Sequence, residues 1–171
     1  LFSTPSETGT SHFRLLEPLR ALYMRYHDKY NFIYTEKLTM DLLQLADLIV
    51  QHRAGTEHSR MLDLMMKTPH RKHAPVLHDV DDNEIEVSKS NPLYEMWMAA
   101  GKDKMAEYQL RNCAFITTTT DNLKSFFNKL NKNVKVVRNS FDWALEHWNL
   151  PQTWLEEKHK GVIDLLCLKA Y

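Results

Sequence analysis

The chain is short of several residue types that mark out protein classes. Glycine occurs only four times in 171 residues. The loop "TPSETGTS" therefore holds one glycine where a dinucleotide-binding fingerprint needs three. Cysteine occurs twice, as Cys113 in "NCAFI" and Cys167 in "DLLCL", and never as a CxxC pair. That spacing excludes a zinc ribbon and reads as two buried, reduced thiols, which suits a cytoplasmic compartment. Net charge is also lacking. The 22 basic and 22 acidic residues cancel, leaving no electrostatic footprint for nucleic acid or an anionic membrane. No apolar run approaches the ~20 residues that cross a bilayer. The first residues lack the charged and apolar regions of a signal peptide. Because position 1 is leucine, the chain is expected to start within a longer reading frame.

What is present is a hydrophobic fraction of 43%, enough for a core, distributed as short apolar runs between longer helical patterns. The runs "LFS", "NFIYT" (31–35), "ADLIVQH" (46–52), "APVLH" (74–78), "CAFIT" (113–117) and "NVKVV" (133–137) read as strands. Leu15, Leu19, Leu22 and Tyr26 recur at helical spacing. Pro18 either lies in the first turn of that helix or kinks it. Further helices are expected over 39–46, with Met40, Leu43 and Leu45 partly inward, and over 57–67. Another starts at Asn91-Pro92, with Tyr94, Met98, Gly101, Met105 and Tyr108 on one face. The next follows a cap at Thr120 or Asp121. A helix near 151–159 and a strand in "GVIDLLCL" complete the reading. Apolar strands with little alternation, separated by helices, predict an α/β fold. It is a Rossmann-like, mostly parallel sheet of about six strands with helices on both faces.

In such sheets ligands bind beyond the carboxyl ends of the strands. Those ends carry Gly9, Thr10 and Arg14, then His52 and Arg53, then His78, Asp79, Asp81 and Asp82. Thr119 and its neighbours, and finally Arg138, Asn139 and Asp142, follow. The acidic run "HDVDDN" admits three readings. Asp79, Asp81 and Asp82 could hold Mg²⁺ or Ca²⁺ through oxygen ligands, although they lack the glycine and distal glutamate of an EF-hand loop. A strand followed by D-x-D is similar to the first motif of haloacid-dehalogenase phosphatases, in which the first aspartate attacks phosphorus. The acids could instead bind sugar hydroxyls or cap backbone amides.

The ordered set "GTSHFRLLEPLRAL", "ADLIVQHRAG", "PVLHDVDDN", "SNPLYEMW", "CAFITTTTDNLKSFF" and "NVKVVRNSFDW" resembles one known architecture. It is the N-terminal half of GT-B glycosyltransferases of the glycogen-synthase-like superfamily, in the form found in bacteria and their phages. The resemblance spans about 1–148, with 149–171 expected to be a tail or the start of a second domain. It implies an acceptor-binding Rossmann domain whose partner domain holds most of a nucleotide-sugar donor. No dedicated metal or cofactor is implied. It further implies His78 and Asp79 as catalytic groups that orient or deprotonate the acceptor. Gly9, Thr10, Arg14, His52, Asp81, Asp82, Thr119, Asn139 and Asp142 would bind donor or acceptor. The glycine-rich loop expected to open the second domain does not follow, so the chain is expected to be inactive or weakly active alone. The alternative is a non-catalytic assembly module, for example of a phage particle, with Trp143, Trp148 and Trp154 as a protein-binding surface.

Overall fold

A computed structural model describes residues 1–4, 9–53, 56–67 and 74–139. Six short strands form one sheet: β1 Phe2–Ser3, β2 Tyr34–Thr35, β3 Ile49–His52, β4 Val76–Val80, β5 Phe115–Thr118 and β6 Val134–Val136. Every pairing is parallel and the order is β2-β1-β3-β4-β5-β6. The helices are α1 Gly9–Ser11, α2 Glu17–Tyr26, α3 Met40–Leu45, α4 Thr56–Lys67, α5 Tyr94–Ala99, α6 Lys102–Asn112 and α7 Asp121–Phe127. The expected Rossmann-like α/β class is therefore the one adopted. The chain winds one way from β1 to β2 and the other way from β3 to β6. This puts the topological switch point between β1 and β3.

Side chains alternate between the two faces of each strand. Ile49, Val76, Val80, Ile116 and Val134 all point to one face. Ile49 and Val76 pack with Leu38, Leu43, Leu62 and Met65. Val80, Ile116 and Val134 pack with Leu110 and Phe127. The first helical stretch, with Leu15 and Leu19 buried, lies over the opposite face, where Arg14 reaches Asp79. Thr39 and Thr120 open α3 and α7 as caps, each hydroxyl accepting from the amide three residues on.

Of the two positions expected for Pro18, the structure shows the first-turn one. A π-helical segment, His12–Leu16, runs directly into α2, and Pro18 sits in the first turn of α2. An α-helical bond from residue 18 to Arg14 is impossible without an N–H, and the ring would press on that carbonyl. The amide of Glu17 instead reaches His12 O, five residues back, so the helix widens and continues rather than breaking.

Four expectations change. Strand β4 does not end at His78 but runs on to Val80, so Asp79 lies inside the sheet. Leu45 is 74% exposed, because two residues past buried Leu43 it lies on the opposite side of α3. The helix expected from Asn91 begins at Tyr94, since Asn91 Oδ1 first accepts from Leu93 N in a local turn. It is then split at Gly101, whose φ of 63° lies in the left-handed region. The split turns α6 so that Ala106, Gln109 and Leu110 are buried, while Met98 and Tyr108 stay exposed. The expected helix near 151–159, the strand in "GVIDLLCL", Cys167 and the boundary at 148 lie outside the described residues.

Phe127 is fully buried in the second cluster. Phe127→Ala should cost about 3–5 kcal/mol in denaturant unfolding, against about 1 kcal/mol for Gly101→Ala. Equal losses would mean that α7 does not anchor this core.

Candidate functional site

The register of the sheet builds a row of three side chains across three strands. His52 pairs with Asp79, and Asp79 with Thr117. All three point to the face over which the first helix runs. Asp79 is at the centre. His52 Nδ1 lies 3.1 Å from its Oδ2, and the Thr117 hydroxyl donates to Oδ1. From above, Arg14 forks onto the same carboxylate, with Nε donating to Oδ2 at 2.9 Å and Nη2 donating to Oδ1. The remaining Arg14 nitrogen, Nη1, donates to the carbonyl of Val137 and, at 3.3 Å, to Asn139 Oδ1. Arg14 stands in the π-helical segment, so the widening next to Pro18 is where the helix presents this side chain.

The Arg14 and Asp79 side chains are only 4% and 5% exposed. Burial by itself would raise the Asp79 carboxyl. The donors from His52, Arg14 and Thr117, with the charge of Arg14, outweigh burial and hold it below the usual carboxylate range. An Asp79 carboxylate with four donors around it is a fixed anchor. It has no lone pair left for abstracting a proton or attacking phosphorus. His52 is completely buried, and its Nε2 has no partner among the described residues.

His78 does not reach this face. As the neighbour of Asp79 in an extended strand it points the opposite way, to a cavity lined by Leu62 and Gln109 beneath α4 and α6. Burial drives its pKa down to about 4, a fall that the charge of Asp79 opposes and nearby His52 reinforces. The expected catalytic pair therefore splits across the sheet. His52, not His78, is the imidazole that Asp79 orients.

The other expected residues distribute as follows. Gly9 opens α1 at the surface with open space around it, and Thr10 follows in the same turn. The Thr119 hydroxyl donates to the carbonyl of Asp81 at 3.3 Å, tying the ends of β4 and β5 together. Asn139 touches Arg14, and Asp142 lies outside the described residues, as do Trp143, Trp148 and Trp154. Asp81 and Asp82 turn outward to Arg53. Its Nε and Nη2 each lie 3.3 Å from an Asp81 oxygen, and Nη2 lies 3.5 Å from Asp82. With Arg14 on Asp79 and Arg53 on the other two, the three acids do not converge as a Mg²⁺ cage would require. The described residues contain no group of three or more side chains placed to hold a metal.

Arg53 was a strand-end residue without an assigned role. It has a φ of 61°, a conformation that non-glycine residues adopt rarely and at a cost. That backbone turns its guanidinium toward a second, open feature, a cavity of about 340 Å³ between the carboxyl end of β4, the loop 81–93 and α5. Its walls are Arg53, Asp82, Asn83, Glu84, Glu86, Val87, Ser88, Asn91, Leu93 and Trp97. The loop is internally braced. Asn83 Oδ1 accepts from the amides of Ile85 and Glu86, and Trp97 Nε1 donates to Glu84 O at 3.0 Å. Lys102 Nζ sits 4.6 Å from the centre of the Trp97 ring. Trp97 was not singled out from the sequence. The signal was an aromatic six residues beyond Asn91, after an acidic loop.

No protein family, curated protein or solved structure matches this chain. No helix among the described residues is long and apolar enough to cross a membrane.

Two outcomes follow. Arg14→Met and Asp79→Ala should each destabilise the fold by about 3–5 kcal/mol, since either leaves a buried charge unpaired. The double variant should lose clearly less than the sum, and strict additivity in denaturant titrations would show that the two do not act as a pair. At pH 7 His78 is neutral in both the folded and unfolded chain and contributes no pH dependence. Below pH 6.5 only the unfolded chain takes up its proton. Stability should therefore fall by up to about 3 kcal/mol down to pH 4 and level off there with respect to this group. His78→Leu should flatten that slope, and an unchanged slope would assign the loss to other groups.

Proposed function

We propose that this chain is the acceptor-binding half of a glycosyltransferase, a Rossmann-like domain that holds a sugar for transfer from a nucleotide-sugar donor. The observation that carries the reading is the cavity of about 340 Å³ at the carboxyl end of β4, where ligands of parallel sheets bind. Its walls combine carboxylates, amides and a serine hydroxyl with one indole. Sugar hydroxyls both donate and accept. Planar carboxylates and amides match them in pairs, and an indole offers an apolar surface to the C–H face of a pyranose. The volume suits one or two sugar rings, within the range of small-molecule sites.

In this reading the Arg14–Asp79–His52–Thr117 cluster is the floor on which the site is built. Asp79 and His78 act by position rather than by proton transfer. Arg53, held by Asp81 and Asp82, forms one wall. A phosphatase mechanism is disfavoured, because the aspartate that would attack phosphorus is fully occupied by its four donors.

A second reading, a protein-binding assembly module, draws on a different observation. Exposed Tyr30, Ile33, Leu45 and Leu48 line one cavity of about 740 Å³ together with Phe2, Leu22 and Phe32.

The test is binding rather than turnover. The chain is titrated with a panel of mono- and oligosaccharides and nucleotide sugars by calorimetry. At least one sugar should bind, and both Trp97→Ala and Glu86→Gln should weaken it tenfold or more while the fold is kept. A wild-type chain that binds no member of the panel, or variants that bind as well as it does, would reject the sugar-site reading.

A further inference from the structure

We infer that the interface between the sheet and α4 and α6 encloses one structural water molecule, held between His78 and Gln109. The two side chains are 1% and 6% exposed. Neither ring nitrogen of His78 and neither amide atom of Gln109 has a hydrogen-bond partner among the described residues. Four polar atoms left bare at one place contradict the rule that buried polar groups are satisfied. Beside them lies a cavity of about 20 Å³, lined also by Leu62, Val76, Asn112 and Cys113. A water needs roughly 10–15 Å³, so there is room for one.

One water can pair one atom of each side chain. A neutral imidazole brings one donor and one bare nitrogen, and the glutamine amide brings two donors and one carbonyl. Water donates twice and accepts twice. It can accept from the imidazole N–H and donate to Gln109 Oε1. In the other tautomer it accepts from the amide and donates to the bare ring nitrogen. A cation fits poorly. No carboxylate lines the cavity, and the Cys113 thiol is kept protonated by burial, with its pKa raised to about 11. The inference stands apart from the sugar-site reading, because this cavity is on the opposite face of β4 from Asp79.

Oxygen-17 magnetic relaxation dispersion counts long-lived internal waters in solution. The wild-type chain should show one more such water than Gln109→Leu and one more than His78→Leu, with circular dichroism confirming that the variants are folded. If His78→Leu fails to fold, Gln109→Leu decides alone. A crystal structure of the wild-type chain should show one density peak within hydrogen-bonding reach of both side chains. Equal water counts in the wild type and folded Gln109→Leu, or no density between the two residues, would overturn the inference.

Discussion

The bidentate pair between Arg14 and Asp79 is the interaction on which the rest of this domain is organised. A buried carboxylate in the middle of a parallel sheet is tolerable only if its charge is met and its lone pairs are filled. Both conditions are satisfied by residues from three separate places. His52 and Thr117 come from the flanking strands and are delivered by register alone. Arg14 comes from the first helix and arrives where it does because Pro18 forces a wide turn in front of itself. The same arginine then fixes Val137 and Asn139 at the end of β6. One guanidinium thus relates the first helix, the centre of the sheet and the end of β6.

A consequence is a division of labour along β4. Asp79 stabilises the rim from one face, and His78 fills the helix side of the same strand. The next residues, Asp81 and Asp82, leave the sheet to hold Arg53 beside the open cavity. Three acids within four residues therefore have two destinations, Asp79 on Arg14 and the other two on Arg53. The clustering in sequence does not produce a cluster in space.

This explains which parts were legible in the sequence. Strand positions and fold class were readable because parallel strands buried on both faces are apolar throughout, and the intervening helical periods were long. Of the strand-end residues, Arg14, His52, Asp79 and Asn139 come together. The roles within the rim were not readable, since they depend on where β4 stops. Extending it by two residues puts Asp79 in the sheet and sends His78 to the opposite face. Apolar content could not show this, because the extension itself carries a histidine and an aspartate. The helix after Asn91 was misjudged for a related reason. Glycine is tolerated inside a helical pattern, and only its positive φ shows that Gly101 ends one helix and begins another. Trp97 and Arg53 were missed because their role depends on a fold of the loop 81–93 that no periodicity describes.

The bond from Arg14 to Val137 joins residues 123 positions apart. In a chain synthesised from its amino terminus, Arg14 emerges long before its last partner. It can close onto Asp79 once β4 is out, but the Val137 carbonyl follows only after β5 and α7 have left the ribosome. Contacts of such separation are closed late, because loop entropy is lost before they form. Strand β6 is thus the step that locks the first helix in place. A chain interrupted before β6 would hold a charged, half-paired arginine over an unfinished sheet.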